Sequence, residues 1–408
     1  MEKTMELAIK YRDYVIGLRR YFHQHPELGG KEIGTSKKVI EELKSMGLEP
    51  RVIGSFGTAV ICDIHGSQPG RTIALRADMD ALNVQELNDC PYKSQVDGVM
   101  HACGHDGHTA SLLGAAKVLM ECRDQIRGTV RLIFQPAEEL GSGADDTVKA
   151  GCLDGVDAAM AIHLWSGVKS GTISVEAGPR MAAANWFRYR LSGKPGHGAR
   201  PHQGVDAGLA AAAAVVNLQH IVSREFPADD PVVITVGHIE SGTRFNVIAS
   251  EAMFEGTMRC YNVQEFLHDI PQAMHRVVEQ TADAYRCQVT EKYVYDAMLP
   301  CNNPEKASAR GAAAVKKLLG EEGIGHIDPM MGGVLLYDAP GSGFPAGAGG
   351  DRRSGEGNGR APSFRQFQDR RGLSPELSRV LRPVRSGLSE RIICAYERSW
   401  RPSGRQLH

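Results

Sequence analysis

The sequence has no long apolar run and almost no net charge. Its 408 residues carry 47 basic and 48 acidic side chains, a formal net charge of -1. A helix that spans a bilayer needs about 20 consecutive apolar residues, so no membrane partner is expected. Without an excess of positive charge, nucleic acid is not an expected partner either. We expect a globular protein of two or three domains that binds a small molecule.

The cysteines show no pairing pattern. Nine occur singly, an odd number, and no two have CxxC spacing. This usage fits buried reduced thiols better than a disulfide framework. The first 18 residues mix charges into a helical pattern and lack the apolar run of a secretory signal. Both features predict a cytoplasmic location.

The most unusual stretch is MHACGHDGHT, residues 100–109, which holds three histidines, a cysteine and an aspartate. An apolar helical pattern follows, and we expect its helix to begin at Gly107. Cys103 and His105 both bind metals when deprotonated, and in a non-helical turn they can reach one small volume. The alternative is a loop with buried imidazoles. Packing alone does not explain so many ionisable residues beside a helix start.

Further ionisable residues follow three predicted strands. Asp78 and Asp80 follow the strand at 72–76, Glu138 and Glu139 that at 129–134, and His163 that at 158–162. Ligands of open α/β sheets bind at the carboxyl ends of the strands, so these side chains are expected to converge there. The alternatives are an Asx-turn after the first strand and a solvated acidic turn for the glutamates.

The adjacent glutamates suit metal-assisted hydrolysis. Just past a strand, neighbouring side chains project in different directions, so one can bind a metal while the other faces the substrate. Such a reaction needs both a metal ligand and a base that hydrogen-bonds the attacking water. Glu138 and Glu139 can divide these two tasks.

The pattern changes after residue 181. The expected elements are a strand at 186–191, a helix at 205–222, strands near 232–237 and 251–261, a helix at 263–284 and a strand at 288–293. This order predicts an α+β two-layer sandwich, inserted as residues 182–298. Residues 1–181 with 299–333 are predicted to form an α/β domain, a mixed sheet flanked by helices.

Eight motifs resemble, in order, those of the aminoacylase, hippurate hydrolase and auxin-conjugate hydrolase group of dinuclear-metal amidohydrolases. They are RRYFHQHPEL (19–28), ALRADMDAL (74–82), MHACGHDGHTA (100–110), FQPAEE (134–139), GPRMAAA (178–184), GKPGHGARPH (193–202), FNVI (245–248) and EGTMR (255–259). The resemblance implies a zinc-peptidase-like catalytic domain with a lid and dimerisation domain. It also implies hydrolysis of N-acetyl or aromatic-acyl amino acids by two divalent metal ions.

The resemblance also implies roles for individual residues. At the metal site, it implies the ligands Cys103, His105, Glu139 and His163, the base Glu138, and Asp80 as the carboxylate that orients a ligand. In the lid, it implies that His197 stabilises the oxyanion and that Asn246 and Arg259 hold the substrate carboxylate. In relatives the lid histidine reaches the partner subunit's site, so a homodimer or homotetramer is expected. Zinc, manganese, cobalt and nickel all suit such ligands. For the lid residues the alternative is a turn histidine and two structural side chains.

Two other functions stay open. One is a dipeptidase or carboxypeptidase on a related fold, which would differ in accepting a free substrate α-amine. The other is an inactive homologue that serves only as a binding or dimerisation module.

The resemblance ends near Gly333. The family continues with Glu-Asp-Phe and, later, with paired histidines, one of which is the last metal ligand. Here the only histidine beyond His326 is His408, no lysine follows Lys317, and residues 351–408 contain thirteen arginines. With its many Ser, Gly and Pro residues, this composition does not readily form a closing strand and helix. Residues 334–408 are thus an aberrant tail, and the family's activity and this chain's competence are separate hypotheses.

A frameshift after Gly333 would account for the tail. Allowed codons for residues 361–373, read one base later, can encode Arg-His-His-Ser-Ala-Ser-Phe-Lys-Ile-Asp-Glu-Asp, which resembles the missing family segment. We predict that the +1 frame of the gene encodes the paired histidines in this region. DNA sequencing checks this, and a +1 frame without them would rule the frameshift out.

Overall fold

The computed structural model describes residues 2–331, except the side chains of residues 2 and 295–298. The predicted tail at 334–408 and the proposed frameshift lie outside the described residues. No helix in the described part is long and apolar enough to cross a membrane.

The helices and strands alternate along the chain much as the sequence patterns predict. The helices are α1 Glu2–Lys10, α2 Arg12–Gln24, α3 Ile33–Ser45, α4 His105–Glu121, α5 Gly143–Lys149, α6 Ala207–His220, α7 Ile270–Ala284 and α8 Glu305–Leu319. The strands are β1 Arg51–Ile53, β2 Ala59–His65, β3 Gln68–Asp78, β4 Arg127–Gln135, β5 Ala158–Ala161, β6 Gly178–Met181, β7 Ala184–Ser192, β8 Gly196–His197, β9 Val233–Ser241, β10 Val247–Ile248, β11 Glu251–Arg259, β12 Gln288–Met298 and β13 Cys301–Asn303. Wider π-helical turns extend α6 over Ile221–Glu225 and precede α7 over Glu265–Asp269.

The first sheet is mixed, with strand order β1-β2-β4-β3-β5. β3 is parallel to both β4 and β5, whereas β2 is antiparallel to its neighbours. Successive side chains of β4 point to opposite faces of the sheet, as in any strand. Leu132 and Phe134 pack with α2, α3 and α4, while Ile133 packs with the segment after α5. Burial of each such side chain contributes about 1.5–3 kcal/mol, so both faces of this sheet are stabilised by apolar contacts.

The second sheet is antiparallel, with strand order β12-β7-β11-β9. Phe187, Tyr189 and Leu191 alternate along β7 and pack in one core with α6 and α7. The opposite face carries ion pairs, such as that of Arg188 with Glu255. The mixed sheet with flanking helices and this two-layer sandwich confirm the predicted fold class.

A short ribbon lies where the chain enters and leaves the second sheet. β6 directly precedes the sandwich, β13 directly follows it, and the two strands pair antiparallel. The chain therefore departs and returns at one place, as the connection of an inserted unit requires.

Candidate metal centre

The carboxyl ends of β3, β4 and β5 bring the predicted residues together. Cys103, His105 and His163 place one donor atom each within 4.8 Å of one another. His105 forms a second such group with Glu138 and Glu139. The parallel pairing of β3 with β4 and β5 causes this convergence, because parallel strands end at the same sheet edge.

The helix that carries His105 begins earlier than the sequence predicts. α4 starts at His105 and not at Gly107, so this histidine lies in the first helical turn and not in a non-helical one. Gly104 makes the early start possible: its φ is +90°, and its carbonyl accepts from the amides of Gly107 and His108. The change keeps Cys103 and His105 adjacent to the positive end of the helix. Burial nevertheless raises the pKa of the Cys103 thiol, so an ion is needed to favour the thiolate.

His105 has the environment of a metal ligand. Its side chain is 1% exposed, and in the described part of the structure neither ring nitrogen makes a hydrogen bond of good geometry, although Oδ1 of Asp80 approaches Nδ1. Oε1 of Glu139, 3.9 Å from His105 Nε2, likewise lacks one. Buried polar atoms without partners are costly, and a cation between them would remove that cost. The thiol, imidazole and carboxylate donors therefore fit a divalent ion of the zinc, manganese, cobalt or nickel type.

Asp80 links the glutamate pair to the histidine. Oδ1 and Oδ2 of Asp80 accept from the backbone amides of Glu138 and Glu139, each at 3.0 Å. Oδ1 also lies 3.3 Å from Nδ1 of His105. A carboxylate behind a ligating imidazole fixes the orientation of the ring, so Asp80 stands where the predicted orienting residue would be.

Glu138 has the properties of a general base. It is 5% exposed. Burial, together with the nearby charge of Asp78, raises the pKa of Glu138 to about 7. A base with a pKa near neutrality can accept and return a proton under physiological conditions.

His163 presents one nitrogen to the centre. Burial lowers its pKa to about 4, which keeps the imidazole neutral. Nδ1 of His163 donates to the carbonyl of Leu164 at 2.7 Å, and Nε2 lies 3.5 Å from Sγ of Cys103. This tautomer leaves the Nε2 lone pair available to an ion.

The sequence reasoning missed His108 as a functional residue. Nδ1 of His108 donates to Oδ1 of Asp78 at 2.6 Å, and Nε2 accepts from the amide of Leu164 at 2.8 Å. Its ring packs against that of His163, with 4.5 Å between centroids. The i, i+3 spacing from His105 on one helix face was the available signal. Arg76 donates to the other oxygen of Asp78. Both oxygens of Asp78 are therefore hydrogen-bonded, and we interpret His108 and Asp78 as structural supports and not as metal ligands.

A second missed group lies behind the start of α4. Oδ2 of Asp106 contacts Nδ1 of His23 at 2.7 Å and Nε of Arg19 at 2.9 Å, and Nε2 of His23 contacts Glu86 at 3.1 Å. Burial opposes the charge, but Arg19 and His23 hold the pKa of Asp106 below its usual range. The RRYFHQHPEL motif therefore supports the metal-binding loop from behind.

The three predicted lid residues lie apart from this cluster. His197 is exposed on the ribbon of β8 and β10, and its Nδ1 accepts from the amide of Ala199 at 3.1 Å. Asn246 is exposed beside it, and its carbonyl accepts from the amide of Gly198. Arg259 ends β11 and donates to the carbonyl of Met331 at 3.0 Å. Within residues 2–331, no hydrogen bond or ion pair joins these side chains to the metal centre.

Comparisons with known proteins identify the family. Residues 74–337 match the model of peptidase family M20/M25/M40. An N-acyl-L-amino acid amidohydrolase of Geobacillus stearothermophilus is 42% identical over 81% of this chain and 89% of its own length. Thermostable carboxypeptidase 2 of Saccharolobus solfataricus is 38% identical over 84% of this chain and 88% of its own length. The crystal structure of the Bacillus subtilis YXEP protein, a dinuclear metal binding peptidase, has a TM-score of 0.70 at 35% identity and covers 80% of this chain and 84% of that one. The motif resemblance is thereby confirmed, and the chain belongs to the peptidase family M20/M25/M40.

Proposed function

We propose that the metal centre is the active site of an amidohydrolase that cleaves N-acetyl or aromatic-acyl amino acids into a carboxylic acid and an amino acid. The observation that carries this proposal is the grouping of His105 with Cys103 and His163 on one side and with Glu138 and Glu139 on the other. The amidohydrolase relative supports the substrate class. Because His105 belongs to both groups, the proposed base lies beside the proposed metal ligands, which supports metal-assisted hydrolysis.

In this proposal, Cys103, His105, Glu139 and His163 would be four of the ligands of two divalent ions, which when bound would supply Lewis acidity at the scissile carbonyl. Glu138 takes a proton from the attacking water and delivers it to the leaving amine. Once protonated, the same carboxyl group can act as the acid for the second transfer. Asp80 keeps His105 and the two glutamates in place through its hydrogen bonds.

The lid residues enter from the other domain. We propose residues 1–181 with 299–333 as the catalytic domain and residues 182–298 as the lid. His197 would stabilise the oxyanion, and Asn246 and Arg259 would hold the substrate carboxylate, since a guanidinium can bind it bidentately. The exposed position of His197 supports a role in the site of a second copy.

A homodimer or homotetramer would provide that second copy. The lid exposes apolar side chains on α6, where Leu209 is 56% and Val216 70% exposed, and on β9, where Ile239 is 52% exposed. Leu209 and Val216 are two turns apart and share one helix face. Apolar patches of this kind mark interaction surfaces. The described cysteines are all free, which supports the proposed cytoplasmic location.

A carboxypeptidase is the second candidate, favoured by the similarity to thermostable carboxypeptidase 2. The two activities differ in the acyl group of the scissile amide. A carboxypeptidase accepts an aminoacyl group with a free α-amine, whereas an N-acyl amino acid hydrolase removes acetyl or aromatic acyl groups, which carry no amine. A third candidate, an inactive binding module, is favoured by the missing histidine of the tail.

We predict that the 408-residue chain binds fewer than two zinc ions and turns over slowly, because the last family ligand is missing. Restoring the +1 frame after Gly333 should bring the content to two ions and increase hydrolysis of N-acetyl and N-benzoyl amino acids. Metal analysis and a substrate panel on both proteins check this. Faster cleavage of dipeptides with a free amine would favour the carboxypeptidase, and no turnover by either protein would favour the binding module.

Glu138→Gln should abolish turnover while leaving metal bound. The amide cannot accept the water proton, but it keeps the size of the side chain, and the ligands are unchanged. We expect a loss of at least about 100-fold in kcat, within the range typical of general bases. Metal analysis of the same sample is the control. An active variant would remove Glu138 from the role of base.

Val216→Asp on α6 should weaken self-association. The wild-type chain should sediment at a multiple of its 44.2 kDa mass, and the variant as a monomer, because a charge cannot be buried unpaired in an apolar interface. Leu318→Asp on α8, at a side chain 41% exposed, is a matched control outside the lid. A monomeric wild-type protein would contradict the proposed assembly.

A further inference from the structure

The turn that carries Glu138 and Glu139 has a strained backbone. Ala137, just before them, has a φ of +52°, in the left-handed region that residues with a Cβ rarely adopt. Its side chain is completely buried. The turn folds back so closely that a Cβ at Gly143 would lie 1.8 Å from the carbonyl oxygen of Pro136. Such a conformation persists only where surrounding contacts hold it.

Two buried carboxylates hold this turn through three consecutive amides. The amide of Ala137 donates to Oε1 of Glu32 at 2.8 Å. The next two amides donate to the two oxygens of Asp80. Asp80 therefore fixes the glutamates themselves, and Glu32 fixes the strained residue before them.

Glu32 makes one hydrogen bond to this turn and two to neighbouring segments. Its side chain is fully buried, Oε1 also accepts from the amide of Gly30 at 3.0 Å, and Oε2 accepts from Oγ1 of Thr58 at 3.2 Å. No ion pair neutralises Glu32 among the described residues. A buried carboxylate without a cation is costly, so its hydrogen bonds must compensate for that cost.

Glu27, five residues earlier, provides a contrast. Its carboxylate also accepts two backbone amides, from Gly34 at 3.0 Å and Thr35 at 2.8 Å. Those amides belong to the first turn of α3, so Glu27 caps a helix and does not contact the 136–139 turn. The two glutamates thus make similar bonds with different targets.

We propose that Glu32 is a positioning residue for Glu138 and Glu139. By holding the amide of Ala137, it keeps the left-handed turn and so sets the directions in which the two carboxylates project. The functional consequence rests on the proposed roles of Glu138 as base and Glu139 as metal ligand. The structural part, that Glu32 holds the turn, is independent of catalysis.

Hydrogen exchange on the metal-free full chain tests the structural part. Glu32→Ala should speed exchange of the Ala137, Glu138 and Glu139 amides about tenfold or more, because local opening becomes easier. Glu32→Gln should stay near wild type, since its carbonyl can accept from Gly30 and Ala137 while the Thr58 hydroxyl rotates to accept from the amide. Glu27→Ala, the matched control, should speed exchange in α3 only. Unchanged exchange at residues 137–139 in Glu32→Ala would overturn the proposal.

Zinc affinity, measured by competition with a chromophoric chelator, tests the consequence. Glu32→Ala should weaken binding about tenfold, the low end of the effect of removing a residue that orients a ligand. Adding Ala137→Gly should recover much of that loss, because glycine adopts a positive φ without strain. A general loss of stability would lower affinity equally in Glu27→Ala and would not be rescued, which would overturn the positioning role.

Two further results keep the conclusions separate. If Glu32→Ala does not fold, both measurements are made on Glu32→Asp instead. That variant keeps the carboxylate but shortens its side chain by one methylene. If neither the 408-residue chain nor the chain with the restored +1 frame binds zinc, the proposed function fails, while hydrogen exchange still decides whether Glu32 holds the turn.

Discussion

The metal centre depends on the hydrogen bonds of one buried carboxylate, Asp80. It follows β3, the strand between β4 and β5, and is 1% exposed. From there it accepts from two amides of the turn after β4 and approaches His105 at the start of α4. This position gives one side chain access to both amides and to the histidine. The position of β3 in the sheet is therefore the constraint from which the geometry of the ligands follows.

Around Asp80 the structure buries an unusual number of ionisable groups. Asp78, Asp106 and Glu32 are each satisfied by histidine, arginine, hydroxyl or backbone donors. His105 and Glu139 have buried atoms that lack such a partner, as do both ring nitrogens of the nearby His101. Charged groups in an interior are tolerated only when paired, hydrogen-bonded or bound to a metal. His105 and Glu139 also belong to the groups whose donor atoms converge, and both observations together fit an ion there.

Much of this arrangement could be predicted from local patterns. Apolar runs indicated the strands that end at Asp78, Gln135 and Ala161, and the order of elements after residue 181 indicated the two-layer sandwich. The carboxyl ends of these strands then indicated which side chains approach one another. The start of α4 was predicted two residues late, because periodicity marks the apolar face of a helix and not the glycine that begins it.

The sequence by itself determined the family, because the types and order of the candidate donors Cys103, His105, Glu138, Glu139 and His163 are visible in short motifs. Only the tertiary structure decided which other residues hold them. His108 reaches Leu164, and Glu32 reaches Ala137 across 105 positions of sequence. Hydrogen bonds between distant segments leave no periodic or compositional trace, because they depend on strand order and on the path of each turn. A buried carboxylate that supports a site and one that caps a helix therefore look alike until the chain is folded.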